Sequence, residues 1–495
     1  MKKIILLCFA IISLLVFGCE SGNDLGKFVE APSPVKPPQA LIDRGGFTYG
    51  YMKVPELHNK PHGKAIELAV AVFKSQADSA TREPLILITG GPGLSDMDSF
   101  LPELFGDLGT LFLNNRDIVI VELRGLKYSK PNLFCPELDS TQMALLDKNL
   151  TPEETVDLYL DALKRAYNRF ERNGVDLSAF NDYEIASDIV YVMDHLGYEK
   201  FSVFGSSFGT LVVQHLLLNH SGHMVSAVLN AVVNMDSCFY NMHTNSIKTL
   251  DAIFEKCEND EKLNQAYPDL KNRFLALLKR LNEHPDTLMV KNPADGKMYK
   301  LLLNGSKLSV WIFTRMYWDT QIPLTLHKIL SGDYSEIIND PGMLFPLPDF
   351  SYGLSLSIIT SEFSTFKDEN IPVNGEYADF VKGCGTLVFT PYFINKVKKV
   401  WKVNDLSRIK KTLDSDVPVL MLSGELDHVC PPADAVALSK KFKNAYVYVF
   451  PGVAHSPIDA GMCGIMMMKE FIDNPAEAPD ASCVKEFHTR FLLPE

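Results

Sequence analysis

Five residues, Gly205-Ser206-Ser207-Phe208-Gly209, sit between a short β-prone stretch at 200–204 and a long apolar run at 210–218. The apolar run is long enough to be a buried helix. A serine in the middle of Gly-x-Ser-x-Gly, on a tight turn from strand to helix, has its hydroxyl lifted above the sheet. The two glycines let strand and helix approach each other around a strained residue. The helix N-terminus favours negative charge developing beside it. Ser207 is therefore the candidate nucleophile, and the chain is constrained to place a parallel strand beneath it.

A serine nucleophile of this kind needs an acid and then a histidine downstream. Residues 417–422 read as a buried strand whose exit loop, Ser423-Gly424-Glu425-Leu426-Asp427, carries a carboxylate. Residues 445–450 read as the next strand, followed by Pro451-Gly452-Val453-Ala454-His455. Parallel sheets carry their chemistry on loops beyond the carboxyl ends of strands, which is where both residues fall. His455 is expected to take the proton of Ser207, and Asp427 to orient the imidazole and stabilise its charged form. Upstream, a strand at 84–89 runs into Gly90-Gly91-Pro92-Gly93. Glycine-rich backbone can bring N–H groups close to a tetrahedral oxyanion. The oxyanion hole is assigned to the N–H groups of Phe208 and Gly91, with Gly90 as the other choice.

These motifs together resemble the prolyl-aminopeptidase and tripeptidyl-aminopeptidase branch of the α/β-hydrolases. That branch carries the Gly-Gly-Pro-Gly loop and then a strand ending in Asp-x-Arg-Gly; here the second motif is Glu122-Leu123-Arg124-Gly125, with glutamate in place of aspartate. The similarity continues through Ser129, Leu133-Phe134-Cys135, the serine turn and the acid and histidine loops, and is weakest over 236–413. It implies an α/β-hydrolase fold, with a mostly parallel central sheet and a largely helical inserted cap domain. It also implies a disulfide between Cys463 and Cys483, and release of one or a few residues from peptide N-termini. Such an enzyme needs a carboxylate for the substrate's ammonium group. Glu362 falls where these proteins carry Cys-x-Glu-Asp in the cap, with Thr360 at the cysteine position and Phe363 at the aspartate position.

The remaining sequence sets the domain plan. The chain of 495 residues is long enough for a full sheet plus an insertion, and its net charge of −13 gives no basic footprint for nucleic acid. Residues 41–235 and 414–495 read as the two parts of the core. Residues 236–413 read as the cap, helix-rich in pattern, with an amphipathic run at 270–281 and with Trp311 and Trp318. Met1-Lys2-Lys3 followed by an apolar run to Phe17 reads as a signal segment, 1–18, too short for a stable span. It ends in Val16-Phe17-Gly18-Cys19, which resembles a bacterial lipobox with Cys19 as the lipidated residue. The implied location is the bacterial cell envelope, with the protein anchored in the membrane by lipid and a proline-rich tether over 19–40. After Cys8 and Cys19, seven cysteines remain. Cys238–Cys257 is a second pairing open to the chain, although sequence does not fix connectivity. The histidines lack paired zinc spacing, so neither a metal nor another cofactor is expected.

Three functions follow from this reading. The first is an exo-acting serine aminopeptidase, with peptides as its substrates. The second is a carboxylesterase or other small-acyl hydrolase, since a serine–histidine–acid set does not itself choose between esters and peptides. The third is a binding lipoprotein without catalysis, against which the intact set of three residues argues.

Overall fold

The structure is a computed structural model that describes residues 24–77, 80–236, 241–347, 349–363, 371–407 and 413–494. Cys19 and the whole signal segment lie outside the described residues, as does Cys238.

Eleven strands are present among the described residues: β1 (Phe28–Glu30), β2 (Phe47–Pro55), β3 (Ala65–Phe73), β4 (Leu85–Ile88), β5 (Ile118–Val121), β6 (Phe201–Ser206), β7 (Met224–Asn230), β8 (Asp286–Lys291), β9 (Met298–Leu303), β10 (Val419–Gly424) and β11 (Ala445–Phe450). Nine of them form one sheet in the order β1-β2-β3-β5-β4-β6-β7-β10-β11. The first three pair antiparallel with one another, and β3 pairs antiparallel with β5. From β5 to β11 every pairing is parallel. This is the α/β-hydrolase fold. The central strands read as unbroken apolar runs because helices cover both faces: every residue of β4 and β5 is buried.

The strand expected at 417–422 begins instead at Val419 and runs to Gly424. Pro418 has no N–H to give to the ladder, so pairing starts one residue later. It continues because Gly424 still aligns with Phe450 of β11.

Between β7 and β10 the chain is mostly helical, with the amphipathic run forming a helix at Leu270–Glu283. The hairpin β8–β9 is also part of this insertion, so the insertion is not purely helical. Its alternating burial reflects a two-stranded ribbon with one face covered. The helix Gly305–Arg315 buries Trp311 at 0% exposure, whereas Trp318, just beyond its end, is 64% exposed. Cys463 and Cys483 form a disulfide. Cys135, Cys257 and Cys384 are buried thiols, so Cys257 has no disulfide partner among the described residues. Among the described residues no helix is long and apolar enough to cross a membrane.

Candidate active site

Strand register assembles the site before any side chain is considered. Ile88 aligns with Gly205, Ser206 with Asn230, Asn230 with Leu422, and Gly424 with Phe450. Five neighbouring strands therefore end at nearly one level. The loops that leave them bring together Gly90-Gly91, Ser207, Asp427 and His455.

Ser207 separates β6 from the helix Phe208–Asn219 and has φ 52 and ψ −120. A left-handed φ at a non-glycine residue costs of order 1–3 kcal/mol and persists only where the surroundings enforce it. Here they do, because the backbone is pinched. A Cβ on Gly205 would lie 2.5 Å from the carbonyl oxygen of Gly209, and one on Gly209 would lie 2.6 Å from that of Ile88. Neither position accepts a side chain, which is the physical content of the Gly-x-Ser-x-Gly spacing.

The acid and the histidine meet as the sequence predicts. His455 Nδ1 lies 2.9 Å from Asp427 Oδ2. The other carboxylate oxygen, Oδ1, accepts from the backbone N–H groups of Val429 at 2.9 Å and Cys430 at 2.8 Å. Because a carboxylate only accepts, the imidazole proton sits on Nδ1 and leaves Nε2 to face the serine. Both residues are almost fully buried, at 1% exposure for Asp427 and 5% for His455. Two aromatic contacts hold the ring: Tyr317 meets His455 edge-on at 4.9 Å, and the same tyrosine meets His428 at 4.9 Å. The His455 N–H also donates to the Tyr317 carbonyl at 3.1 Å. The insertion thus grips the histidine loop directly. Burial pushes the His428 imidazole down to about 3, so it packs here as a neutral ring.

Ser207 and His455 line one cavity of about 230 Å³, together with Gly90, Gly91 and Phe208. Among the described residues no direct hydrogen bond joins Ser207 Oγ to His455, and such bonds commonly tighten only with substrate. The rest of the lining is mainly apolar, including Val233, Met242, Leu347, Phe350 and Phe389. Gly91 starts a short 3₁₀ turn with φ 55, and Phe208 is the first residue of its helix. Both N–H groups are at first-turn positions that have no intrahelical acceptor. Gly90 plays a different part: a Cβ there would lie 3.0 Å from Ser207 Cβ, so it makes room for the serine.

Beneath the glycine loop lie two buried acids. Asp96 Oδ1 accepts from the Thr89 N–H at 2.8 Å, one residue before Gly90. Glu122 accepts from Ser95 Oγ, the Met97 N–H and the Tyr128 N–H. Burial pushes Glu122 up to about 7, and burial followed by the charge of Glu122 raises Asp96 well above the usual carboxylate range.

The structure does not bring Glu362 to this cavity. Its side chain is fully buried, and His215 Nε2 lies 3.2 Å from its Oε2. The helix Tyr352–Glu362 meets the cavity through Ser355, near its start. Glu362 is seven residues further along, about 10 Å at a helical rise. The sequence reading expects Glu362 at the substrate's ammonium group; in this structure the direction of the helix places it away from the cavity.

Two groups of three ligating atoms lie within 4.8 Å of one another: Asp427, Cys430 and His455, and Asp182, His215 and Glu362. In each, a carboxylate already holds the imidazole.

Asn230, at the end of β7, has no role in the sequence reading. Its Nδ2 donates to Ser206 Oγ and to Ser456 Oγ, both at 2.9 Å, and its Oδ1 accepts from the Ile458 N–H at 3.4 Å. It fastens the serine turn to the histidine loop. A polar residue closing the apolar run Ala227-Val228-Leu229 was the available signal.

Residues 83–327 match the family described as alpha/beta hydrolase fold, and residues 387–483 match the family described as TAP-like protein. The tripeptidyl aminopeptidases of Streptomyces lividans and Streptomyces coelicolor are each 28% identical over 191 residues, which is 37% of this chain. The chain spans about a third of the length of these curated relatives, 35% in each case. Among solved structures, a proline iminopeptidase from Mycobacterium smegmatis is 14% identical with a TM-score of 0.38, covering 86% of this chain and all of its own. An esterase from Exiguobacterium antarcticum is 13% identical with a TM-score of 0.33, covering 85% of this chain and 96% of its own. The chain belongs to the α/β-hydrolases, and the branch to which it is similar is that of the tripeptidyl aminopeptidases.

Proposed function

We propose that the protein is a serine hydrolase acting as an exo-aminopeptidase, releasing one or a few residues from peptide N-termini through an acyl-enzyme. The observation that carries the hydrolase reading is the left-handed Ser207 on a cavity shared with His455, whose far nitrogen is held by Asp427. Ser207 Oγ attacks the scissile carbonyl carbon, and its proton passes to His455 Nε2. The oxyanion forms against the N–H groups of Phe208 and Gly91. The C–N bond then breaks, with the proton moving from His455 to the leaving amine. Water repeats the sequence on the ester and regenerates the serine. The aminopeptidase part of the reading draws on the likeness to the tripeptidyl-aminopeptidase branch.

A panel of chromogenic substrates tests it. Aminoacyl and short peptidyl anilides with free N-termini are expected to turn over with higher kcat/KM than simple acyl anilides. Hydrolysis confined to short acyl esters would replace this reading with a carboxylesterase, which the mainly apolar cavity also accommodates.

The N-terminal segment carries a second proposal: cleavage before Cys19 and acylation of its thiol and amine. Two or more acyl chains anchor firmly where one is marginal. Metabolic labelling with a clickable fatty acid should mark the protein, and Cys19→Ser should remove the mark and release the protein from membranes. An unlabelled, freely soluble wild type would make the segment an ordinary signal peptide.

A further inference from the structure

With Glu362 sealed away, the site needs another anion if it is to select a free N-terminus. Among the described residues lining the cavity, Asp459 is the one carboxylate, and no lysine or arginine lines it. Asp459 is exposed, and among the described residues its carboxylate makes no hydrogen bond and no ion pair. It sits in the 3₁₀ turn Pro457–Ala460, four residues past His455.

That turn is fixed to the nucleophile. Asn230 takes the Ile458 N–H on one atom of its amide and donates to Ser206 Oγ with the other. Asp459 follows Ile458 and Ser207 follows Ser206, so each is one residue, about 3.8 Å along the chain, from a group on the same amide. Ser456 Oγ is held by that amide as well, and the Asp459 N–H donates to the Ser456 carbonyl. The backbone that carries Asp459 is therefore tied to the turn that carries the attacking hydroxyl. Trp318 lines the same cavity while 64% exposed, and its ring lies edge-on to His455 at 6.5 Å. An indole and a carboxylate on one cavity suit an ammonium group, because both attract a cation. The apolar walls suit an uncharged side chain next to it.

We infer that Asp459 is the anion that receives the substrate's α-ammonium group, with Trp318 lining the same cavity, so that the preferred substrate is a short peptide with a free N-terminus and an apolar residue in the cavity. The inference rests on the aminopeptidase reading above and supplies its specificity determinant. Substrate covers Asp459 on binding, so the contact becomes a charge-assisted hydrogen bond rather than an exposed surface pair.

The test uses peptide anilides with an apolar first residue, identical except for N-acetylation, with wild type, Asp459→Asn and Asp459→Lys. The wild type should favour the free amine. Asp459→Asn should lower the ratio of kcat/KM for free over acetylated substrate by about ten-fold or more, and Asp459→Lys by more still. Melting temperatures of all three report that the fold is kept. A wild type that favours the free amine with a ratio unmoved by either variant overturns the role of Asp459 and leaves the aminopeptidase reading standing. A wild type with no preference for the free amine overturns both.

Discussion

One helix, Phe208–Asn219, carries two histidine–carboxylate neighbourhoods that share their chemistry and differ in access. At its N-terminus Ser207 faces His455, held 2.9 Å from Asp427. Eight residues along, about 12 Å at a helical rise, His215 lies 3.2 Å from Glu362, with Asp182 close by. In the first group the imidazole keeps one nitrogen toward a cavity and a hydroxyl. In the second, the histidine and Glu362 side chains have no exposed surface at all. An imidazole and a carboxylate at hydrogen-bond distance are therefore not a site. What makes one is a strained nucleophile and an open path.

The largest expected effect breaks the first group. Ser207→Ala should abolish labelling by a fluorophosphonate and lower kcat by about 10⁴–10⁶. The fold should persist, since the hydroxyl fills little space. Labelling at the wild-type rate, or an adduct on Ser206, would show that the strained turn does not present the nucleophile. Next comes Asp427→Asn, which keeps the shape but can donate to His455 Nδ1 and so favours the wrong tautomer. A loss of about 10³–10⁴ in kcat is expected near neutral pH. A loss under ten-fold would mean that Tyr317 positions the imidazole without help from the carboxylate.

The sealed group should answer in stability, not in chemistry. Glu362→Gln is expected to cost about 2–4 kcal/mol, read by denaturant unfolding, because it disturbs a fully buried contact with His215. The preference for free over acetylated substrates should stay as in the wild type. If that preference collapses while stability holds, the helix Tyr352–Glu362 turns in solution to bring Glu362 to the cavity, and the contrast between the two groups fails.

What the sequence disclosed follows the same division. Ser207, Asp427 and His455 were legible because each is announced locally, by a strand and the loop that leaves it, and parallel register then aligns the loops. The disulfide partners Cys463 and Cys483 came through family resemblance. The placement of Glu362 was not legible because a residue type at a matching position does not say which turn of a helix meets the cavity; here it is the turn of Ser355, not the last one. Asn230 and Tyr317 were missed because their roles rest on partners far away in the chain, Ser456 for one and His428 with His455 for the other. Such pairings exist only after the sheet and the insertion have docked.

The smallest expected effect concerns a third buried group, the acids under the glycine loop, and sharpens how far burial alone sets behaviour. Burial raises Glu122 from its ordinary 4.5 to about 7 and raises Asp96 beside it. A carboxyl whose pKa is higher folded than unfolded contributes stability that is complete below the unfolded value. That contribution is lost as pH rises through the folded value. For Glu122 the window is therefore about pH 4.5 to 7, and the full loss would be about 3 kcal/mol at 1.36 kcal/mol per unit. Glu122→Gln removes the Glu122 share of that slope and leaves Asp96 titrating alone. The variant starts lower at pH 5, because the amide NH2 cannot accept the bonds that Ser95, Met97 and Tyr128 share between the two oxygens of the carboxyl group. Its deficit against wild type should shrink as pH rises to 8, measured by unfolding at each pH. A deficit that stays constant across that range would mean that Glu122 is ionised throughout, its three donors outweighing its burial.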